Sequence, residues 1–173
     1  MNPFSVLGLE PRFAIDRSAL EARYRDLQRA LHPDRHAGGT ASTRRMSLER
    51  AVAVNEAYRT LGDELRRAEA LLALHGGVAA QQADPALLMQ IMEQREALGE
   101  ARERGDIAAV RALGATIEAE AAAMREAIGR AFDTETPALD EAATAIARLK
   151  YLRRFLDEVA AIEEEHDAAG GVG

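Results

Sequence analysis

Three observations predict an all-α protein. Apolar residues recur three and four positions apart through most of the chain, which lines one face of a helix. Ala, Leu, Arg and Glu dominate, and the β-branched runs that build strands are few. Asn, Asp, Thr and Gly stand at the ends of the periodic stretches, where helices need caps. A length of 173 residues fits one ordinary domain or two small ones, and a 47% hydrophobic content is that of a folded chain.

Asn2-Pro3 opens the first element, because Asn caps helices and Pro is favoured at their first position. Phe4, Val6, Leu7 and Leu9 give it a short apolar face, and Gly8 limits its length. Asp16 is the expected cap of a second helix, with Ser18 and Glu21 as an alternative capping box. Leu20, Tyr24, Leu27 and Leu31 share one face of that helix. Arg25 and Arg29 lie opposite and Arg23 at the flank, as a solvated face or as a basic docking surface. Pro33 stops the helix near Leu31, since it lacks an amide proton and drives the residue before it toward extended geometry. His32-Pro33-Asp34, followed by Arg35, therefore lies on an exposed turn. Gly38-Gly39-Thr40 is a loop, and a long helix is expected from about Ser42 to Leu61. Ala51, Val54, Tyr58 and Leu61 on it can face the Leu20/Tyr24/Leu27 stripe, which makes an antiparallel hairpin core.

Gly62-Asp63 leads into a helix over Glu64 to His75, closed by Gly76-Gly77. Residues 77–84 form a polar linker, so the expected division is 1–76, 77–84 and 85–173. Three helices fill the last part. One starts at Asp84-Pro85 and runs to Arg104 before Gly105; one follows the Asp106 cap to about Phe132; one runs from Thr136-Pro137 to about His166. Gly170 to Gly173 form a tail. Ile107, Val110, Ile117, Met124 and Ile128 make the buried stripe of the second, and Leu139, Ile146, Leu149 and Leu156 that of the third. Short connections make neighbours antiparallel, so this part is a three-helix bundle.

Its first helix has more apolar residues than a single stripe uses. Leu87, Ile91 and Leu98 share a core face, whereas Leu88, Met89 and Met92 point elsewhere, as do Tyr151, Phe155 and Ile162 on the last helix. These residues either widen the bundle core or form a binding patch, for which flexible Met side chains are well suited.

Charge is uneven. Residues 1–60 hold 10 Arg against 7 acidic residues, and residues 61–173 hold 12 basic against 22 acidic, which together give the overall −7. A basic front and an acidic back suggest two modules with two partners. The absence of Cys excludes disulfides, thiolate metal sites and a Cys nucleophile. No apolar run approaches the ~20 residues of a membrane span, and the start has no signal-peptide pattern, so a cytoplasmic location is expected. His32 and His36 have a helical ligand spacing, but Pro33 interrupts it, and no metal or cofactor is expected. No nucleophile or oxyanion element accompanies His32 and Asp34, so no catalytic residue is assigned and the chain is not expected to be an enzyme. An Arg-rich nucleic-acid binder is the reading from another class; overall acidity and the lack of interleaved aromatics oppose it. His75 suits a helix C-terminus, and Glu163-Glu164-Glu165 reads as a solvated helix end.

Residues 1 to about 62, with a short helix, a basic helix, His32-Pro33-Asp34 and a long helix, resemble the J-domain co-chaperones. In that family the tripeptide engages a heat-shock-type chaperone ATPase. Arg67-Ala68-Glu69 followed by Leu71 to Gly76 resembles the segment joining the two halves of the iron–sulfur-assembly branch, the HscB type, and the Gly/Phe-rich stretch of generic J-domain proteins is missing. Ala86-Leu87-Leu88-Met89 through Leu98 is similar to the HscB segment that grips an IscU-type iron–sulfur scaffold. The resemblance implies a J-domain hairpin joined to a client-binding bundle, in the compact form without a Cys-x-x-Cys module. It implies chaperone contacts at His32, Pro33, Asp34, Arg35, Arg23, Arg25 and Arg29 with an HscA-type ATPase. It implies scaffold contacts at Leu88, Met89, Met92, Glu93, Glu96, Lys150 and Tyr151, with Phe155 added from the exposed apolar set. Met92 and Tyr151 stand where relatives carry Leu and Phe, which keeps size and apolarity. The alternative is a J-domain partner of a general DnaK-type chaperone with another client.

Overall fold

The computed structural model describes residues 2–32, 40–80 and 85–170. Seven helices and no strand occur among them. No described helix is long and apolar enough to cross a membrane. The chain divides into two units, the first Met1–Val78 with Ala131–Leu139, the second Ala79–Arg130 with Asp140–Gly173.

In the first unit, caps set the helix starts. The Asn2 side chain accepts from the Phe4 amide at 3.0 Å and opens α1, Pro3–Leu7. Gly8 closes it at φ 65°, a left-handed geometry that favours glycine. Asp16 accepts from the Ser18 amide and hydroxyl, each at 2.8 Å, and opens α2, Arg17–Ala30. Those hydrogen bonds hold the Asp16 carboxyl below its ordinary pKa. Thr40 caps α3, Ala41–Gly62, and Asp63 caps α4, Glu64–Leu74. His75 is the cap residue of α4 rather than its last turn.

The two expected stripes meet. Phe4, Leu7, Leu20, Val54, Ala57, Leu61 and Leu71 form the buried cluster, with Tyr24, Leu27, Leu31, Tyr58 and Phe132 packed against it. Each fully buried Leu or Phe contributes about 1.5–3 kcal/mol relative to exposure. Tyr24 stacks on Tyr58 with ring centroids 4.0 Å apart. Half-buried Arg67 secures the segment ahead of α2. Its Nε donates to the Phe13 carbonyl at 2.7 Å, its Nη1 donates to the Leu61 carbonyl, and its guanidinium lies over the Phe13 ring.

The second unit is built on α5, Pro85–Glu103, α6, Ile107–Phe132, and α7, Leu139–Gly170. Cross-links fix their directions. Arg95 pairs with Glu158 and Arg102 with Glu165, so α5 and α7 run parallel. Arg111 pairs with Glu163 and Arg148 with Glu120, so α6 runs against α7. The bundle is thus up-down-up, as short connections require. Gly114 lets α6 approach α7: a Cβ there would lie 3.0 Å from a Val159 methyl.

The buried face of α7 differs from the single expected stripe. Ala142, Ala143, Ala145, Ile146, Leu149, Leu152, Phe155, Val159 and Ile162 are buried, whereas Leu139 and Leu156 are half-buried. A helix that touches two neighbours buries a wider face than one stripe, so Phe155 and Ile162 are core residues. The helix starts at Leu139 rather than at Pro137, because Ala138 donates to the Ala131 carbonyl and residues 133–138 remain a turn. It runs past His166 to Gly170, since nothing in between breaks it. Glu163 and Glu165 are not simply solvated, being paired with Arg111 and Arg102 at 3.0 and 2.9 Å. Such exposed pairs contribute little to stability.

Candidate partner-binding surfaces

Two surfaces collect the site residues expected from the sequence. The first is the outward face of α2. With Leu20, Tyr24 and Leu27 turned inward, Arg23, Arg25 and Arg29 are exposed. Arg25 reaches Glu21 at 3.8 Å and Arg29 pairs with Asp26, each within the same helix. These are single-helix surface pairs, so the guanidinium groups remain available to an acidic partner. The Leu31 amide donates to the Leu27 carbonyl and ends the helix, and His32 follows, exposed. Pro33, Asp34, Arg35 and His36 lie outside the described residues.

A polar junction behind α2 has no counterpart in the sequence reading. Tyr24 donates its hydroxyl hydrogen to Asn55 Oδ1 at 3.0 Å, and Gln28 donates to the Tyr24 oxygen and, at 3.4 Å, to Asn55. It ties α2 to α3 one turn before His32. Only the i, i+4 spacing of Tyr24 and Gln28 could have hinted at it; Asn55 is 31 residues away from Tyr24.

The second surface lies on α5 and α7. Leu88, Met89 and Met92 are 48%, 66% and 71% exposed. Glu93 and Glu96 are exposed on the same helix, and Lys150 is exposed on α7. Tyr151 is half-buried beside them, its hydroxyl 3.4 Å from the Ile91 carbonyl to which it donates, and burial raises its pKa. Phe155 does not belong to this surface. It is 1% exposed and supports the Tyr151 ring from below, with centroids 6.5 Å apart. Polar residues of α5, α6 and α7 form a further cluster beneath, from Gln90, Gln94, Glu120 and Arg148.

An exposed basic helix leading to His32 and a separate apolar patch match a two-part family pattern. Residues 2–70 match the family model described as the DnaJ domain, and residues 83–160 match that of the HSCB C-terminal oligomerisation domain. A co-chaperone protein HscB homolog from Burkholderia multivorans is 38% identical over 162 residues, covering 91% of both chains. One from a Shewanella species is 37% identical over 171 residues, covering 95% of this chain and 98% of its own. The chain belongs to the HscB family of J-domain co-chaperones.

Solved structures agree. The chaperone HscB from Vibrio cholerae superposes with a TM-score of 0.83 at 34% identity, covering 96% of this chain and 99% of its own. The human co-chaperone HscB superposes with the same TM-score of 0.83 at 26% identity, over 94% and 82% of the respective chains. The protein is therefore a co-chaperone of the iron–sulfur-assembly branch. The DnaJ-type match contains Arg23, Arg25, Arg29 and His32, and the HscB-type match contains the whole α5 patch with Lys150 and Tyr151.

Proposed function

We propose that this HscB-family chain carries an IscU-type iron–sulfur scaffold protein to an HscA-type chaperone ATPase. Leu88, Met89 and Met92, flanked by Glu93, Glu96, Lys150 and Tyr151, bind the scaffold. Arg23, Arg25, Arg29 and the turn from His32 through Pro33, Asp34 and Arg35 bind the ATPase and speed its ATP hydrolysis. The chain itself catalyses no reaction and works in the cytoplasm. Its contribution is positional, since one linked body raises the effective concentration of client at the chaperone.

The observation that carries this reading is the exposure of three large apolar side chains on consecutive turns of α5 beside Tyr151. Exposed apolar clusters of this kind mark partner surfaces. Calorimetric titration into an IscU-type scaffold tests it. The intact chain should bind, and a Leu88→Ala/Met92→Ala/Tyr151→Ala variant with unchanged circular dichroism should not. His32→Gln should abolish ATPase stimulation and leave scaffold binding intact. Full stimulation by that variant would sink the role given to the turn. Failure of the intact chain to bind the scaffold would leave a J-domain co-chaperone of a general chaperone with another client.

A further inference from the structure

The part of α5 that carries Leu88, Met89 and Met92 is held in an unusual way. Leu87 and Ile91 are only half-buried, and the first fully buried side chain after them is Leu98. Polar contacts do much of the attaching. Gln90 Nε2 lies 3.2 Å from each carboxylate oxygen of Glu120 on α6 and donates to them. Gln94 Nε2 donates to Glu120 Oε1 at 3.2 Å. Arg148 Nη2 on α7 donates to Gln90 Oε1 at 2.8 Å and to Glu120 Oε2 at 3.2 Å. The Tyr151 hydroxyl donates to the Ile91 carbonyl one turn further along α7.

We infer that Glu120 and Arg148 are positioning residues for the scaffold-binding face of α5, an inference that rests on that face being the scaffold site. Glu120 is an acceptor-only hub that satisfies donors from two turns of α5 and from α7. Arg148 joins the hub to Gln90, which sits between Met89 and Met92 in sequence. Because Arg148 is three residues before Tyr151, the same side of α7 sets both the hub and the aromatic part of the surface. The side chains of Arg148 and Glu120 are 31% and 25% exposed, so water competes only in part for these bonds. The height and tilt of α5 are thereby fixed without placing Leu88, Met89 or Met92 in the core.

Full-length Glu120→Ala, Glu120→Gln and Arg148→Met variants test this with two readouts, scaffold titration and amide hydrogen exchange of the free protein. Glu120→Ala should speed exchange in residues 87–94 at least about tenfold while buried amides of α6 and α7 stay protected. Its scaffold affinity should fall roughly 5- to 20-fold. Arg148→Met should follow it, and Glu120→Gln, which keeps one acceptor oxygen, should fall between wild type and Ala. Unchanged α5 exchange and affinity in Glu120→Ala would overturn the inference, as would exchange that rises equally in all three helices. If Glu120→Ala fails to fold, Gln90→Ala removes the α5 end of the same contacts and is read the same way. If the intact chain does not bind the scaffold, the client reading fails on its own, and the exchange pattern decides whether the clamp exists.

Discussion

Replacing Phe155 separates packing from recognition. Phe155 is 1% exposed and Met92, on the same unit, is 71% exposed. Both are large apolar residues that the sequence alone places off the bundle stripe. Truncating a buried Phe to Ala removes its transfer free energy and leaves a cavity, at about 3–5 kcal/mol. At the low end, with about 2 °C per kcal/mol for a chain of this size, the melting temperature falls by roughly 6 °C or more. Met92→Ala removes contacts chiefly with water and should change stability by no more than about 0.5 kcal/mol. Thermal and urea unfolding followed by far-ultraviolet circular dichroism measure both, and scaffold titration at a temperature where both are folded measures affinity. Phe155→Ala should lose stability first, and Met92→Ala should lose affinity without losing stability. A Phe155→Ala protein with wild-type melting and selectively lost scaffold binding would refute the burial argument.

Other outcomes follow from the same contacts. Asp16→Asn should destabilise the protein near neutral pH. The folded-state pKa of Asp16 is depressed by Ser18, so its contribution is present above the unfolded carboxyl pKa and is lost as pH falls through the folded value; the gap between the two proteins in melting temperature should therefore close in acid. Arg67→Met removes donors to two carbonyls, those of Phe13 and Leu61, and should cost about 1–3 kcal/mol in urea unfolding. Tyr24→Phe keeps the stack on Tyr58 but leaves Asn55 and Gln28 without the hydroxyl, a loss of about 1 kcal/mol by the same measurement. In surface plasmon resonance, chaperone binding through the α2 arginines should weaken as salt rises from 50 to 300 mM, whereas scaffold binding through α5 should change much less.

What the sequence revealed was local. Asn2, Asp16 and Asp106 act within three residues, and their caps lie where the residue types put them. The Leu20–Tyr24–Leu27 stripe is periodic and finds its expected partners on α3. The angles of Leu88, Met89 and Met92 on α5 set them off the Leu98 face for the same reason, which left a wider bundle core or an exposed patch open, and the structure exposes all three. Phe155 failed that test because α7 touches two neighbours, and a single-stripe projection assigns the second contact to solvent. The Tyr24–Gln28–Asn55 junction and the Glu120 hub were not assembled from the sequence: their partners are between 26 and 58 residues apart where they join different helices, and no local spacing pairs polar or charged residues across helices.

The weak inward face of α5 and its exposed outer face are one fact. A helix of fixed circumference that turns Leu88, Met89 and Met92 outward has fewer apolar side chains to turn inward, so hydrophobic burial alone anchors its first half less firmly. Its second half compensates with Leu98 and Ala101, both 1% exposed. Its first half is tied by Gln90, Gln94 and the Ile91 carbonyl instead. Replacing Gln90, Glu120 and Arg148 together by apolar residues of similar volume would hold the bundle as well or better, because a fully apolar substitute often matches or exceeds an ionic cluster in stability, whereas removing Glu120 alone strands the Arg148 guanidinium. The joint replacement would also let α5 settle wherever packing is best. The directional bonds from a carboxylate and a guanidinium specify one position instead, which is what a surface of flexible methionines needs from the helix beneath it.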